Sequence, residues 1–131
     1  MKKLLLFITI TLTGFTSLLA QDFYLNTNGI TCMCPDAAVG DTGVVNGINY
    51  TKRTKEQITD ANASTTCTSG ITDMSELFYQ LPNFNSNIAS WDVSNVTDMY
   101  SMFRESAFNQ DINSWDVSSV TDMSYMFRES P

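Results

Sequence analysis

The feature that most constrains this chain is a unit of 24 residues that occurs twice in a row. FNSNIASWDVSNVTDMYSMFRESA, residues 84–107, is followed without a gap by FNQDINSWDVSSVTDMSYMFRESP, residues 108–131, so the period is 108 minus 84. Phe, Ile, Trp, two Val, two Met and a second Phe recur at 84/108, 88/112, 91/115, 93/117, 96/120, 99/123, 102/126 and 103/127. The changes, such as Ser86 to Gln110, are nearly all polar. Apolar positions that hold while polar ones drift mark a structural repeat. A weaker copy upstream, Ile71-Thr72-Asp73-Met74 with Leu77 and Phe78, matches Val96-Thr97-Asp98-Met99 with Met102 and Phe103 at an offset of 25 (96 minus 71). Periods of ~20 to 50 residues belong to architectures in which each unit buries its apolar face by stacking on the next.

Within a unit, Ile88-x-x-Trp91-x-Val93 has the L-x-x-L-x-L spacing in which the last two apolar residues point inward from a short strand, predicted over residues 90–94. Val96, Met99, Met102 and Phe103 follow at i, i+3, i+6 and i+7, an apolar stripe that predicts one or two helical turns with Thr97 or Asp98 at the start. The expected fold is therefore an α/β repeat: a leucine-rich-repeat-like solenoid of short strands and short helices with a small β-containing N-terminal cap. Its expected divisions are a signal peptide (1–20), a capping region (21–70) and repeats over 71–131, in blocks 71–83, 84–107 and 108–131.

The charge excludes two partner classes. Seven basic residues against 14 acidic give −7, without the basic footprint that nucleic acid or an anionic membrane requires. The chain has no His, the commonest general base and metal ligand. At its N-terminus Lys2 and Lys3 precede an apolar run, Leu4 to Leu12, and a cleavage region ending at Ala20. This is the pattern of an export signal, and the run falls short of the ~20 residues of a membrane span. Removal of residues 1–20 takes away two lysines and leaves 5 basic against 14 acidic residues, or −9. No transmembrane segment is expected after that removal.

Between the signal and the repeats the texture changes. Val44-Val45-Asn46-Gly47-Ile48-Asn49-Tyr50 sets Asn-Gly between β-prone residues, the pattern of a hairpin on a type I′ turn. Thr54-Lys55-Glu56-Gln57 reads as a capping box opening a short helix through about Ala63. In an exported chain Cys32, Cys34 and Cys67 predict one disulfide and one leftover thiol. Cys32 and Cys34 share a strand face, so either could reach Cys67. Three thiolates without a His or a fourth Cys make a poor zinc set, and C-x-C outside a thioredoxin-like βαβ pattern does not favour redox chemistry.

The repeat W-D-V-S-x-V-T-D-M-x-x-M-F followed by F-N-x-x-I resembles that of BspA-like bacterial leucine-rich-repeat surface proteins, over Ile71 to Pro131. Asn28-Gly29-Ile30-Thr31, Cys34-Pro35-Asp36, Tyr50-Thr51-Lys52-Arg53 and Thr66 to Met74 also resemble the N-terminal region of secreted Bacteroidota members. The resemblance implies a secreted or cell-surface protein that adheres to extracellular proteins or polymers, without enzyme activity or a cofactor. It also places the recurring cysteine at Cys34, before Pro35, and so implies a Cys34–Cys67 disulfide with Cys32 free. Counting back 25 from Asp92 reaches Cys67, so the cap must fold over that edge for the bond to close. Phe127 to Pro131 stops where a preceding unit would begin its next Phe-Asn, and the chain is expected to be a fragment of a longer repeat protein.

Several polar features bear on function. Asp73, Asp98 and Asp122 recur after Thr; they are read as helix N-caps rather than as calcium ligands, and no metal site is expected. Arg104-Glu105 and Arg128-Glu129 are read as a solvated charged face, and Met74, Met99, Met102, Met123 and Met126 as core filler. Asp92 and Asp116, ~4.8 Å apart on adjacent strands, invite a glycosidase reading. Duplicated surroundings would give both carboxylates the same pKa, so no catalytic residues are expected. With Trp91 and Val93 inward, Ser90, Asp92, Ser94, Ser114, Asp116 and Ser118 point outward as a polar binding face suited to a cationic group. A structural spacer without a ligand is the alternative, and a polysaccharide-acting enzyme a more distant one.

Overall fold

The computed structural model describes residues 21–131, so the export signal expected at 1–20 lies outside the described residues. Strands β1 (Tyr24–Leu25) and β2 (Cys32–Met33) form a small antiparallel ribbon, Tyr24 opposite Met33 and Leu25 opposite Cys32. Strands β3 (Thr42–Val45) and β4 (Ile48–Lys52) form an antiparallel hairpin, and β5 (Thr66–Cys67) adds to β4 in parallel. The hairpin turns on Asn46 and Gly47, at φ 51° and 78°, as the Asn-Gly pair requires of a type I′ turn. Gly43 is demanded by packing instead: a Cβ there would collide with the Phe23 ring.

The capping box is present in part. The Thr54 N–H donates to Gln57 Oε1 at 3.0 Å, but the helix it opens is a single 3-10 turn, Lys55–Gln57. Ile58 is already extended, and a second 3-10 turn covers Ala63–Thr65. The expected helix through Ala63 is thus replaced by two short turns.

The expected α/β solenoid is overturned. Among the described residues there is no α-helix, all five strands lie between Tyr24 and Cys67, and they make two small sheets. Residues 90–94, the predicted strand, make no strand ladder, and the predicted helices are runs of overlapping turns. The physical reason lies in where the backbone donors go. Met74, Glu76, Phe78 and Gln80 donate across to the carbonyls of Asp98, Tyr100, Met102 and Arg104, at 2.8–3.0 Å. Met99, Ser101, Phe103 and Glu105 donate in the same way to Asp122, Ser124, Met126 and Arg128. An α-helix would keep these N–H groups within its own segment. Between them, i to i+3 bonds such as Met102 N–H to Met99 O close tight turns. The turns require left-handed backbone at Glu76, Gln80, Ser101, Glu105, Tyr125 and Glu129, with φ between 55° and 59° except 52° at Ser101. None is glycine; the inter-unit ladder runs on both sides of Ser101 and Glu105 and on one side of the other four.

The units stack through side chains as well. Phe78 lies on Phe84 with ring centres 3.6 Å apart, Phe103 on Phe108 at 4.0 Å, and Trp91 over Trp115 at 6.3 Å. These residues, with Met74, Ile88, Val93, Val96, Met99 and Met102, form the main core, to which the capping region contributes Ile58 and Ala63. Asn109 N–H donates to Asn85 Oδ1 at 2.8 Å, so the first asparagine ties one unit to the next. A smaller core of Phe23, Val45, Tyr50 and the three cysteines holds the two sheets together. Cys34 is bonded to Cys67, and Cys32 is free and buried. No helix among the described residues is long and apolar enough to cross a membrane.

Candidate functional site

The unit register continues into the capping region. Trp115 Nε1–H donates to Ile88 O, and Trp91 Nε1–H donates to Ala63 O, 25 residues earlier than Ile88. Ala63 to Ser69 therefore lies on residues 88–94 much as those lie on 112–118. Thr68 Oγ1–H donates to Asp92 O at 2.9 Å, and Cys32 N–H donates to Ser90 O at 2.8 Å. The cap folds over the edge that Cys67 occupies, and the disulfide holds it there.

This cover divides the six predicted face residues. Asp92, expected to point into solvent, is 5% exposed. Its Oδ2 accepts from the Ser69 hydroxyl at 2.6 Å, and its Oδ1 from the Ser94 hydroxyl and N–H at 2.7 and 3.1 Å. Asp116, its counterpart, is exposed and accepts from Ser118 N–H at 3.0 Å. Ser114 is half-buried and donates to Ala89 O at 2.7 Å; Ser118 is exposed. The six do not form one open surface, because the cap lies on the first three. Four of them, Asp92, Ser94, Ser114 and Asp116, converge on a recess of about 70 Å³, closed on its other side by Asn26, Asn28 and Thr31. Ser90 instead borders a separate hollow of about 200 Å³ with Ile30 and Tyr50.

The two carboxylates thus have unlike surroundings, so duplication does not give them the same environment. The Ser118 hydroxyl and N–H hold the Asp116 carboxyl below the ordinary carboxylate range. Beneath Asp92, burial and that neighbouring negative charge push the Cys32 thiol up to about 11, so it is an inert core group at neutral pH.

The aspartates at 73, 98 and 122 cap turns rather than helices. Each Oδ1 accepts from the N–H two residues on, Ser75, Tyr100 and Ser124, at 2.7, 2.8 and 2.7 Å. Their backbones are bridged in parallel, Asp73 to Asp98 and Asp98 to Asp122. Among the described residues no three His, Cys, Asp or Glu side chains converge as a metal set would. The Asn26–Thr31 wall of the recess was not anticipated from sequence. Its signal was the Asn28-Gly29 turn, where Asn28 Oδ1 accepts from Ile30 and Thr31 N–H and points the loop at the repeats.

No curated protein and no solved structure matches the chain. A family model does, over residues 48–131, from strand β4 through the stacked units. That span is 84 residues (131 minus 48, plus 1), more than half of the 131. The chain belongs to the family described as Mycoplasma protein of unknown function, DUF285.

Proposed function

We propose that this is a secreted or cell-surface repeat protein of the BspA-like leucine-rich-repeat type that adheres to an extracellular protein or polymer and is not an enzyme. The observation that carries the reading is the recess at Asp116. An exposed carboxylate held ionised by Ser118 stands at its mouth, and a second, buried carboxylate stands behind it. A recess with that lining favours a cationic group, such as a Lys or Arg side chain of a partner protein. Stacking also lines up equivalent polar groups along the molecule, with Thr97 and Thr121 each donating to the previous threonine's carbonyl. Such repetition suits multivalent attachment, in which weak contacts add.

The test is adhesion of the full chain to immobilised extracellular-matrix proteins over a range of salt concentrations. Asp116→Asn is expected to weaken adhesion about twofold to fivefold and to flatten its salt dependence. Glu105→Gln, on the turn side, should change neither. Equal behaviour of the two variants would sink the site, and adhesion by neither wild type nor variant would favour the spacer reading.

A further inference from the structure

The basic residues of this acidic chain are not scattered. Five lie among the described residues, Lys52, Arg53, Lys55, Arg104 and Arg128, and the first three line one cleft of about 400 Å³ between strand β4 and the loop at Gly70 to Asp73. The cleft is on residues separate from the Asp116 recess, and its three cations outnumber its two carboxylates, Glu56 and Asp73.

What each cation does decides what the cleft can hold. Lys55 Nζ is spent: it pairs with Asp73 Oδ1 at 3.0 Å and donates to Ser75 Oγ at 3.0 Å. Lys52 Nζ donates to two neutral carbonyls, Cys34 O at 2.8 Å and Pro35 O at 3.1 Å, which leaves one N–H and its whole charge uncompensated. Arg53 is anchored through Nη1 alone, to Thr65 O at 3.1 Å and Thr66 Oγ1 at 2.8 Å. Its Nε–H and Nη2–H have no acceptor among the described residues, and no carboxylate there lies within ion-pair distance of Lys52 or Arg53. Those two N–H groups are the side-by-side pair that matches the two oxygens of an oxoanion. The guanidinium is thus fixed in place by one nitrogen with its anion-binding edge unused. Glu56 also lines the cleft, but it is fully exposed, while Asp73 is already neutralised by Lys55.

We propose that this cleft binds the carboxylate of an acidic sugar, with Arg53 as the two-point anchor and Lys52 as the second cation. The volume exceeds that of a bare anion and lies in the range of small-ligand sites. Its remaining walls, Val39 and Ile71 beside the exposed Thr72, offer apolar and hydroxyl surface together, as a sugar ring does.

The experiment is a titration of the intact chain followed by backbone and guanidinium NMR shifts, with galacturonate, galactose, sodium sulfate and an N-acetylated glutamate peptide as probes. Galacturonate should shift Arg53 Nε and the amides of Gly70 to Asp73, while galactose leaves them in place. Arg53→Gln should weaken that response about tenfold, whereas Arg128→Gln leaves it unchanged. Because Arg53 also ties Thr65 to the sheet, the wild-type comparison of galacturonate with galactose stands if the variant fails to fold. Equal shifts by galactose, stronger shifts by the glutamate peptide, or sulfate shifts matching those of galacturonate would each overturn the acidic-sugar assignment.

Discussion

Residues 84–107 and 108–131 carry nearly the same sequence and occupy different environments. Val93, Met99 and Phe103 are 1%, 0% and 0% exposed; their counterparts Val117, Met123 and Phe127 are 40%, 42% and 46% exposed. Trp115 and Met126, facing the preceding unit, remain buried like Trp91 and Met102. The difference teaches that in a stacked repeat apolar character states what a position can bury, and the neighbour decides whether it does. The first unit is covered on both sides, upstream by the cap through Ile58 and Ala63 and by block 71–83 through Met74 and Phe78, and downstream by the second unit. The second has a neighbouring copy on one side. Polar residues obey the same rule: the cap buries Asp92 and leaves Asp116 in water.

The largest test of this comparison is a matched pair of truncations. Phe103 packs against Phe84, Phe108 and Phe127 with no exposure, so Phe103→Ala should cost about 3–5 kcal/mol in urea denaturation. Phe127→Ala, at the same place in the next unit, should cost under about 1.5 kcal/mol because half its surface is already wet. Similar losses would show that burial does not follow the neighbour.

A smaller effect comes from the paired aspartates. Asp92→Asn sets an amide NH₂ among donors from Ser69 and Ser94, which should cost about 1–3 kcal/mol. Asp116→Asn, in water, should stay within about 0.5 kcal/mol. Equal costs would mean that the cap does not cover the first unit in solution.

How much of this could be read from sequence follows from which interactions are local. The hairpin was legible because Asn46-Gly47 carries its turn geometry in two residues. The register was legible because the ladder from Asp73 to Asp98 to Asp122 follows offsets of 25 and 24 present in the text. The missing helices were not legible. A stripe at i, i+3, i+6 and i+7 serves a helix and a run of tight turns alike, and the left-handed positions are filled by Glu, Gln, Ser and Tyr instead of Gly or Asn. The face was half legible: inward Trp91 and Val93 follow from spacing, whereas the burial of Asp92 depends on a cap brought over it by Cys34–Cys67. Register arithmetic linking Cys67 to Asp92 was the one clue to that cover.

The thiol beside Asp92 sharpens the comparison further, since only the covered unit has one. Burial first, and Asp92 second, raise Cys32 from an ordinary 9.0 to about 11. The raised value favours the neutral thiol in the folded state, so its contribution is complete below pH 9 and is lost as pH rises through 11. Stability should therefore fall by roughly 1 kcal/mol between pH 9 and pH 10 from this group. Urea midpoints of wild type and Cys32→Ala across that range isolate it. Identical slopes would place Cys32 in a less enclosed setting.

The smallest free-energy change, and the most local readout, comes from appending another copy of residues 84–107 after Pro131. The new unit would cover Val117, Met123 and Phe127, each offering part of the ~1.5–3 kcal/mol of a fully buried side chain. Against this stands ~1–2 kcal/mol of backbone entropy for every residue ordered, offset by the new unit's own core contacts. The net should be a stabilisation of about 1 kcal/mol or less, as small differences between large terms usually are. Amide exchange gives the sharper answer. The N–H groups of Met99, Ser101, Phe103 and Glu105 donate to the following unit, while those of Met123, Tyr125, Phe127 and Glu129 have no acceptor among the described residues. The added copy should slow exchange at those four alternating amides and leave Ser124 and Ser119 unchanged. Uniform slowing along the segment, or none, would mean that the new unit does not continue the ladder, and that the exposure of residues 108–131 does not follow from their having one neighbour among the described residues.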